Sequence, residues 1–294
     1  MENRGKQTKL NELKLALPKG RMEVGVLSLL SEAGIKVTTA GRAYRPKVSL
    51  INTETKVLKP QNIIEMLALG SRDIGFAGAD WVEEFEVEVV MLLDTELDPI
   101  KLVAACPENI LQDGVLPKRR LVIASEYERL TKKWIERKSL NASFIKSFGA
   151  TEVFPPEDAD CIVDNTATGA TLEANNLAII DELMLSSTRL YASPIALENL
   201  AKREQIENLV VNLKSVLDAR KRVMLELNVR AENLDAVIEI LPSMKMPTIS
   251  KLFGEEGFAV KSAVPKGKLV ELIPLIKAKG GTDIVIMPIN QLVA

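Results

Sequence analysis

Between Leu13 and Asp80, apolar stretches too short to be helices alternate with segments whose apolar residues recur at helical spacing. No other feature limits the fold as much. Residues 13–17 read as a strand and Pro18-Lys19-Gly20-Arg21 as a turn; a helix follows with Met22, Val26, Leu29, Leu30 and Ala33 on one face and a stop at Gly34. The pattern then repeats. Pro60 opens a helix carrying Ile63, Ile64, Leu67 and Ala68, Gly70 ends it, and a strand over 73–77 runs into Gly78-Ala79-Asp80. Strands and helices in alternation bury their apolar faces against one another as α/β layers. Residues 41–59, rich in Val, Ile, Thr and Lys without a helical period, predict extended chain.

A second α/β lobe is expected from about Asp98: strand 120–124, helix 127–138, strands 143–148 and 160–164, and a short helix after Thr171. Strands over 179–185 and 189–192 complete it, and a helical stretch over 194–220 is expected to pack back on the first lobe. From Lys221 the order changes to strand 223–229, helix 234–241, two strands around Gly254–Gly257, a helix, and strand 283–288. That order, βαββαβ, is ferredoxin-like. Pro274 is a misfit inside its helix, because an interior proline removes a hydrogen bond and crowds the preceding turn. The domain reading is therefore 1–97 plus 193–220 as a first lobe, 98–192 as a second, and 221–294 as a separate C-terminal domain.

Composition removes whole classes of chemistry. The chain contains no histidine, so Ser-His-Asp and Cys-His nucleophiles, a histidine base and histidine metal ligands are all excluded. Its two cysteines, Cys106 and Cys161, are too distant for a CxxC pair and too few for a four-cysteine zinc site. They read as buried thiols in a reducing compartment. A formal net charge of -2 with no long like-charge run does not suggest nucleic acid as a partner. Residues 1–12 are polar, and the longest apolar runs fall far short of the ~18 residues of a membrane span. The expectation is a soluble cytoplasmic protein.

The segment Asp160-Cys161-Ile162-Val163-Asp164-Asn165-Thr166-Ala167-Thr168-Gly169-Ala170-Thr171-Leu172 is the richest in chemistry. An apolar strand bounded by carboxylates runs into a turn of small residues that opens a helix. Backbone N–H groups there favour an anion, Gly169 lets the chain approach it, and the hydroxyls of Thr168 and Thr171 add donors. The same turn is also an ordinary helix cap. Asp164 shifts the reading toward sugar plus phosphate, since a carboxylate can accept hydrogen bonds from sugar hydroxyls. The loop has no lysine and is not a Walker loop. Pro265-Lys266-Gly267-Lys268-Leu269 lacks the first glycine and the final Ser/Thr of that motif and reads as a solvated loop.

With Glu173-Ala174-Asn175 added, this segment resembles the phosphoribosyl pyrophosphate (PRPP) signature of the ATP phosphoribosyltransferase family. Leu15-Ala16-Leu17-Pro18-Lys19-Gly20-Arg21 and residues 74–80 are similar to its N-terminal motifs, and the βαββαβ unit is similar to the regulatory domain of its long form. The resemblance covers nearly the whole chain from Leu13. It implies a periplasmic-binding-protein-like pair of α/β lobes with the active site in the cleft, plus a C-terminal ACT-like ferredoxin domain. It also implies Mg²⁺ with unassigned ligands, a homo-oligomer (dimer or hexamer) and feedback inhibition by histidine. Carried over by position, Asp164, Ala167, Thr168, Gly169, Ala170 and Thr171 hold PRPP with Asp160 nearby, and Lys19, Gly20, Arg21 and Asp80 line the ATP side. Asp164, Lys19 and Arg21 are the implied catalytic residues. The implied histidine site includes Asn228, Thr248 and the Gly280-Gly281 turn. Two positions depart from the family pattern: Asn165, where an apolar residue is usual, and Asn176, where glycine is common.

The implied reaction suits a chain without histidine. N1 of the adenine of ATP attacks the anomeric carbon of PRPP and displaces pyrophosphate. N1 already carries a lone pair, so no base is required; positioning and cationic stabilisation of the leaving group suffice, with Lys19, Arg21, Arg42 and Arg45 as candidate cations. Two other readings compete: a different phosphoribosyltransferase, and a non-catalytic cytosolic sensor of amino acids or nucleotides. Against the first, nucleobase-salvage enzymes carry an adjacent acidic pair before the loop, whereas Asp160 and Asp164 are separated.

Overall fold

The first apolar run becomes β1 (Leu13–Pro18), buried at every position except Lys14. The computed structural model describes residues 11–38, 44–254 and 256–293. After β1 come helix α1 (Arg21–Glu32), the paired short strands β2 (Val37–Thr38) and β3 (Lys47–Val48), and strand β4 (Thr53–Leu58). Helix α2 (Pro60–Ala68) starts on its proline, where the missing N–H has no intrahelical partner to lose, and buries Ile63, Ile64 and Leu67. Strand β5 (Ile74–Gly78) is wholly buried and leads into α3 (Ala79–Phe85).

The next part contains β6 (Val90–Pro107), β7 (Leu121–Ser125), α4 (Glu128–Arg137), β8 (Ala142–Lys146), β9 (Cys161–Thr166), α5 (Ala170–Ala174), β10 (Leu177–Ala192), α6 (Pro194–Glu198) and α7 (Leu200–Arg220). One mixed eight-stranded sheet runs β4-β1-β5-β10-β6-β9-β7-β8. β4, β1 and β5 are parallel to one another, as are β9, β7 and β8; the long antiparallel pair β6–β10 joins the two triplets.

Register explains where a site can form. β5 ends at Gly78 opposite Thr188, which pairs with Leu97 on β6, whereas β9 ends at Thr166 opposite Lys101 on β6. The triplets therefore run head to head, and the carboxyl ends of both converge on the same short stretch of the β6–β10 ribbon. Ligands in α/β sheets bind outside the carboxyl ends of parallel strands. Here two such edges share one place.

The structure corrects the sequence reading in three places. β6 passes straight through Asp98, so no element boundary lies there; left-handed Glu96 (φ 57°) and Asp98 (φ 47°) interrupt the alternation that would reveal a strand. The segments 179–185 and 189–192 are one strand, β10, broken in pattern but not in pairing by register shifts. The stretch 194–220 is two helices, because Asn199 leaves the helical region. Its side-chain oxygen instead caps α7, accepting the N–H groups of Ala201 (3.0 Å) and Lys202 (3.2 Å).

The described residues form two compact units, residues up to 31 with 35–207, and 32–34 with 208 onward. In the second unit, β11 (Arg222–Arg230), α8 (Leu234–Ile240), β12 (Thr248–Lys251), β13 (Gly257–Pro265), α9 (Leu269–Ala278) and β14 (Gly281–Pro288) build an antiparallel sheet of order β12-β13-β11-β14. This is the ferredoxin-like order. Alternation along β11 puts Val223, Leu225, Leu227 and Val229 in a core with Val237, Leu272 and Ile276. Pro274 does lie inside α9; the carbonyl it leaves unpaired belongs to Val270, which is 85% exposed and can bond water instead.

Candidate functional site

Three loops at the carboxyl ends of β7, β8 and β9 surround a cavity of about 390 Å³. Glu126 comes from the first, Gly149–Glu152 from the second, and Asp164–Thr168 with Ala170–Leu172 from the third. Arg21, from the carboxyl end of β1, lines the same cavity. A basic residue and the small-residue loop, about 150 positions apart in sequence, thus face each other because the two triplets meet head to head.

The loop after β9 is built locally. Gly169 has φ 87° and ψ -11°, a left-handed conformation natural to glycine, and a Cβ added there would meet no atom within 4 Å. Thr166, 9% exposed, accepts the Gly169 N–H at 2.9 Å, and Thr168 Oγ1 lies 3.4 Å from the Ala170 nitrogen. Thr168, Ala170 and Thr171 are exposed toward the cavity they line. Asn176 has φ 56°, so this departure from glycine keeps the left-handed turn, which asparagine tolerates better than most residues.

Asp164 is half-buried, and its carboxyl is pushed up to about 6, chiefly by burial and further by the charges of Glu152 and Glu126; the Asn165 N–H, donating at 2.7 Å, opposes this. Asp160 lies elsewhere. Six positions before Thr166 on an extended chain, it stands roughly 20 Å from the loop at ~3.3 Å per residue. There it accepts the Arg119 guanidinium at 2.6 Å and the Val122 N–H at 2.8 Å, and the arginine holds its carboxyl below the usual range. The structure does not bring Asp160 to the cavity, contrary to the positional expectation.

Asp80 is also withdrawn. It is 3% exposed, accepting Ser186 Oγ at 2.6 Å and the Tyr127 hydroxyl at 2.7 Å, and does not line the cavity. Lys19 is exposed, with Nζ 3.5 Å from the Tyr44 hydroxyl and 5.1 Å from that ring's centre; Gly20 beside it has φ 89°. Arg45 pairs with Glu54 at 3.1 Å, and Arg42 lies outside the described residues. The two cysteines are buried and free, and desolvation raises the Cys106 thiol to about 11.

Thr166, though part of the segment singled out, was given no role, and Glu126 and Gly149–Glu152 went unnoticed in the sequence. A second turn with positive φ at Gly149 (104°) and Ala150 (49°), following β8 as the Thr-Gly turn follows β9, is the signal that could have found the last of these. In the second unit a cavity of about 850 Å³ is lined by Asn228, Arg230, Glu232, Gly280 and Asp283 among others. Asn228 belongs to it, and Gly281 follows the lining Gly280 directly. Thr248 does not: it pairs with Lys261, two positions along β13 from Ala259, the partner of Asn228.

Residues 59–215 match the family model described as ATP phosphoribosyltransferase (HisG), and residues 219–291 match the model of the HisG C-terminal domain. A curated protein of Pelotomaculum thermopropionicum named ATP phosphoribosyltransferase is 36% identical over 96% of this chain and 99% of its own length. Proteins of the same name from Solibacter usitatus and Chlorobaculum parvum are each 35% identical over 96% of this chain, covering 99% and 98% of their own lengths. A solved structure, the ATP phosphoribosyl transferase (HisG:HisZ) complex from Thermotoga maritima, contains a chain that aligns at a TM-score of 0.63 and 28% identity. It covers 70% of this chain and 98% of its own.

Proposed function

Since the chain belongs to the ATP phosphoribosyltransferase family, we propose that the cavity beyond β7, β8 and β9 holds PRPP and that ATP approaches it from the side of Arg21. The chain is a pentosyltransferase: it condenses ATP and PRPP to N1-(5-phosphoribosyl)-ATP and pyrophosphate, the first step of histidine biosynthesis. The sensor and salvage-enzyme readings are not favoured. One observation carries the placement of the site, namely the Thr168–Thr171 turn, Asp164 and Arg21 around a single cavity.

In this reading the loop amides and the hydroxyls of Thr168 and Thr171 receive the 5-phosphate, with Ala167, Gly169 and Ala170 leaving room for it. Asp164 accepts hydrogen bonds from ribose hydroxyls and so orients the anomeric carbon. Arg21, with Lys19 and Gly20 beside it on the same turn, stabilises the departing pyrophosphate. Asp80, held by Ser186 and Tyr127, does not touch ATP in this reading.

Among the described residues, no group of three or more Asp, Glu or Cys side chains could hold a metal ion by itself. One or two of the carboxylates bordering the cavity, from Asp164, Glu126 and Glu152, would be enough for a Mg²⁺ held mainly by its substrate, the usual habit of that ion. When bound, it supplies charge neutralisation to the pyrophosphate.

The lobe division 1–97 plus 193–220 against 98–192 stays part of this proposal, with its boundary falling inside β6, one of the two strands that join the triplets, and with 221–294 as the regulatory domain. We place histidine inhibition in that domain, at the cavity containing Asn228 and flanked by Gly281, and drop Thr248 from the site. A homo-oligomer of two or six chains and a cytoplasmic location are part of the same proposal; no helix of the described residues is long and apolar enough to cross a membrane. Titrating histidine against initial rates tests the regulatory part. Inhibition by millimolar histidine, lost in a soluble chain ending near Ala219, supports it, whereas an unchanged full-length rate refutes it.

A further inference from the structure

A hydrogen-bonded chain links the two parallel triplets beside the cavity. Ser186 on β10 donates to Asp80 Oδ1 at 2.6 Å, Tyr127 donates to Asp80 Oδ2 at 2.7 Å, and Asn165 Nδ2 donates to the Tyr127 hydroxyl at 3.2 Å. The sense of the last bond is fixed. A phenol has one proton, and here the Asp80 carboxylate receives it, so the oxygen can only accept from Asn165. Tyr127 is itself held rigidly, 1% exposed, with its ring stacked on Trp81 at a centroid distance of 4.5 Å. Its backbone N–H donates to Ser125 Oγ at 2.8 Å, and that hydroxyl donates to the Val163 carbonyl of β9 at 2.6 Å.

On its other side Asn165 meets the carboxylate that borders the cavity. The Asn165 backbone N–H donates to Asp164 Oδ1 at 2.7 Å, and Nδ2 lies 3.4 Å from the same oxygen. Glu126 and Glu152 border the cavity too, and their charge works against an ionised Asp164 remaining there. The backbone N–H holds one oxygen of this repelled carboxylate, and the side-chain amide, anchored on a rigid hydroxyl, adds a second donor to the same oxygen and so opposes its rotation.

We propose that Asn165 is a positioning residue for the transfer: its side chain ties the Asp164 carboxylate to the fixed Tyr127–Asp80 pair and keeps it aimed at the ribose. The inference rests on the reading of Asp164 as the ribose contact. Asn165 itself borders the cavity; a direct contact with PRPP would make its loss additive with that of the Tyr127 hydroxyl, whereas positioning through Tyr127 makes it non-additive. The effect appears in how PRPP is held, not in how ATP is held.

Asn165→Leu removes the amide at nearly constant size from an exposed position, so the protein stays folded. Steady-state kinetics with ATP and PRPP varied separately should show KM for PRPP raised by about fivefold or more with KM for ATP unchanged. Combined with Tyr127→Phe, Asn165→Leu should add little further loss, since both variants break one link. A wild-type KM for PRPP in Asn165→Leu overturns the proposal, as does full additivity with Tyr127→Phe. If Tyr127→Phe does not fold, the KM split of Asn165→Leu decides alone. Asp164→Asn serves as the reference: if it is impaired while Asn165→Leu is not, only this inference fails, and if it is not impaired, the ribose assignment fails as well.

Discussion

Thr166 Oγ1 accepts the backbone N–H of Gly169 at 2.9 Å, closing the turn that carries Thr168 and Thr171, the hydroxyls proposed to receive the 5-phosphate. Thr166→Val keeps the shape and deletes the acceptor. The freed N–H is half-buried and can reach water in part, so the expected cost is about 1 kcal/mol of stability with a several-fold rise in KM for PRPP. Denaturant titration and steady-state kinetics on the same preparation check both; an unchanged KM would mean that the turn does not need this clasp.

Gly169 has φ 87° with open space where a Cβ would point. Substitution therefore strains the backbone without a clash inside the protein, and the strain falls on the turn between Thr168 and Ala170, both of which line the cavity. Gly169→Ala should lose about 1 kcal/mol of stability and at least ~10-fold in kcat/KM for PRPP. Gly169→Val would do both more severely because β-branched residues tolerate positive φ worst. Normal PRPP affinity in folded Gly169→Ala would remove the loop from the binding site.

Asp164 titrates near 6 because burial and the charges of Glu152 and Glu126 disfavour its ionised form. A carboxyl raised in this way keeps its proton in the folded state up to a higher pH than in the unfolded chain. Its contribution to stability thus falls as pH rises from about 4 to about 6 and is level above that. Activity has the opposite slope, since the ionised carboxylate is the hydrogen-bond acceptor, and kcat/KM for PRPP should rise through pH 6. Asp164→Asn should flatten the contribution of this group to both profiles and cost at least ~10-fold in kcat/KM, about 1.4 kcal/mol. Equal pH profiles in the two proteins would show that another group controls them.

Glu84, 5% exposed at the end of α3, accepts the N–H groups of Arg129 and Leu130 at 3.0 Å each and so caps α4 from another element. Glu84→Ala leaves both donors without that partner and should cost about 2 kcal/mol. Because Glu84 does not line the cavity, kinetic constants of the folded fraction should stay near wild type. Thermal unfolding alongside initial rates separates the two effects.

The strand–helix alternation, the ferredoxin-like order and the Thr168–Thr171 turn were legible because each is written in local pattern: periodicity, glycine punctuation and hydroxyl spacing. β6 was not. Its irregular backbone at Glu96 and Asp98 and its pairing with β10 and β9 depend on partners far along the chain. The site residues divide in the same way. Arg21 and Asp164 line one cavity, but Asp80 looked available only while Ser186 and Tyr127, 106 and 47 residues away, were out of view. Asp160 looked close in sequence and is remote in space because an extended strand separates it from the loop, and Arg119 neutralises it there. Sequence proximity misleads most along a strand, where each residue adds the greatest length.

The most direct test of the account follows pyrophosphate and the adenine product together, in purified full-length chain supplied with ATP, PRPP and Mg²⁺, and compares wild type with Asp164→Asn and Gly169→Ala. The account predicts one pyrophosphate for each N1-ribosylated ATP, no release when ATP or PRPP is omitted, and a loss of at least ~10-fold in kcat/KM for PRPP in both variants while they remain folded. Wild-type turnover in the folded Asp164→Asn and Gly169→Ala variants would contradict it, placing the chemistry somewhere other than the cavity beyond β7, β8 and β9.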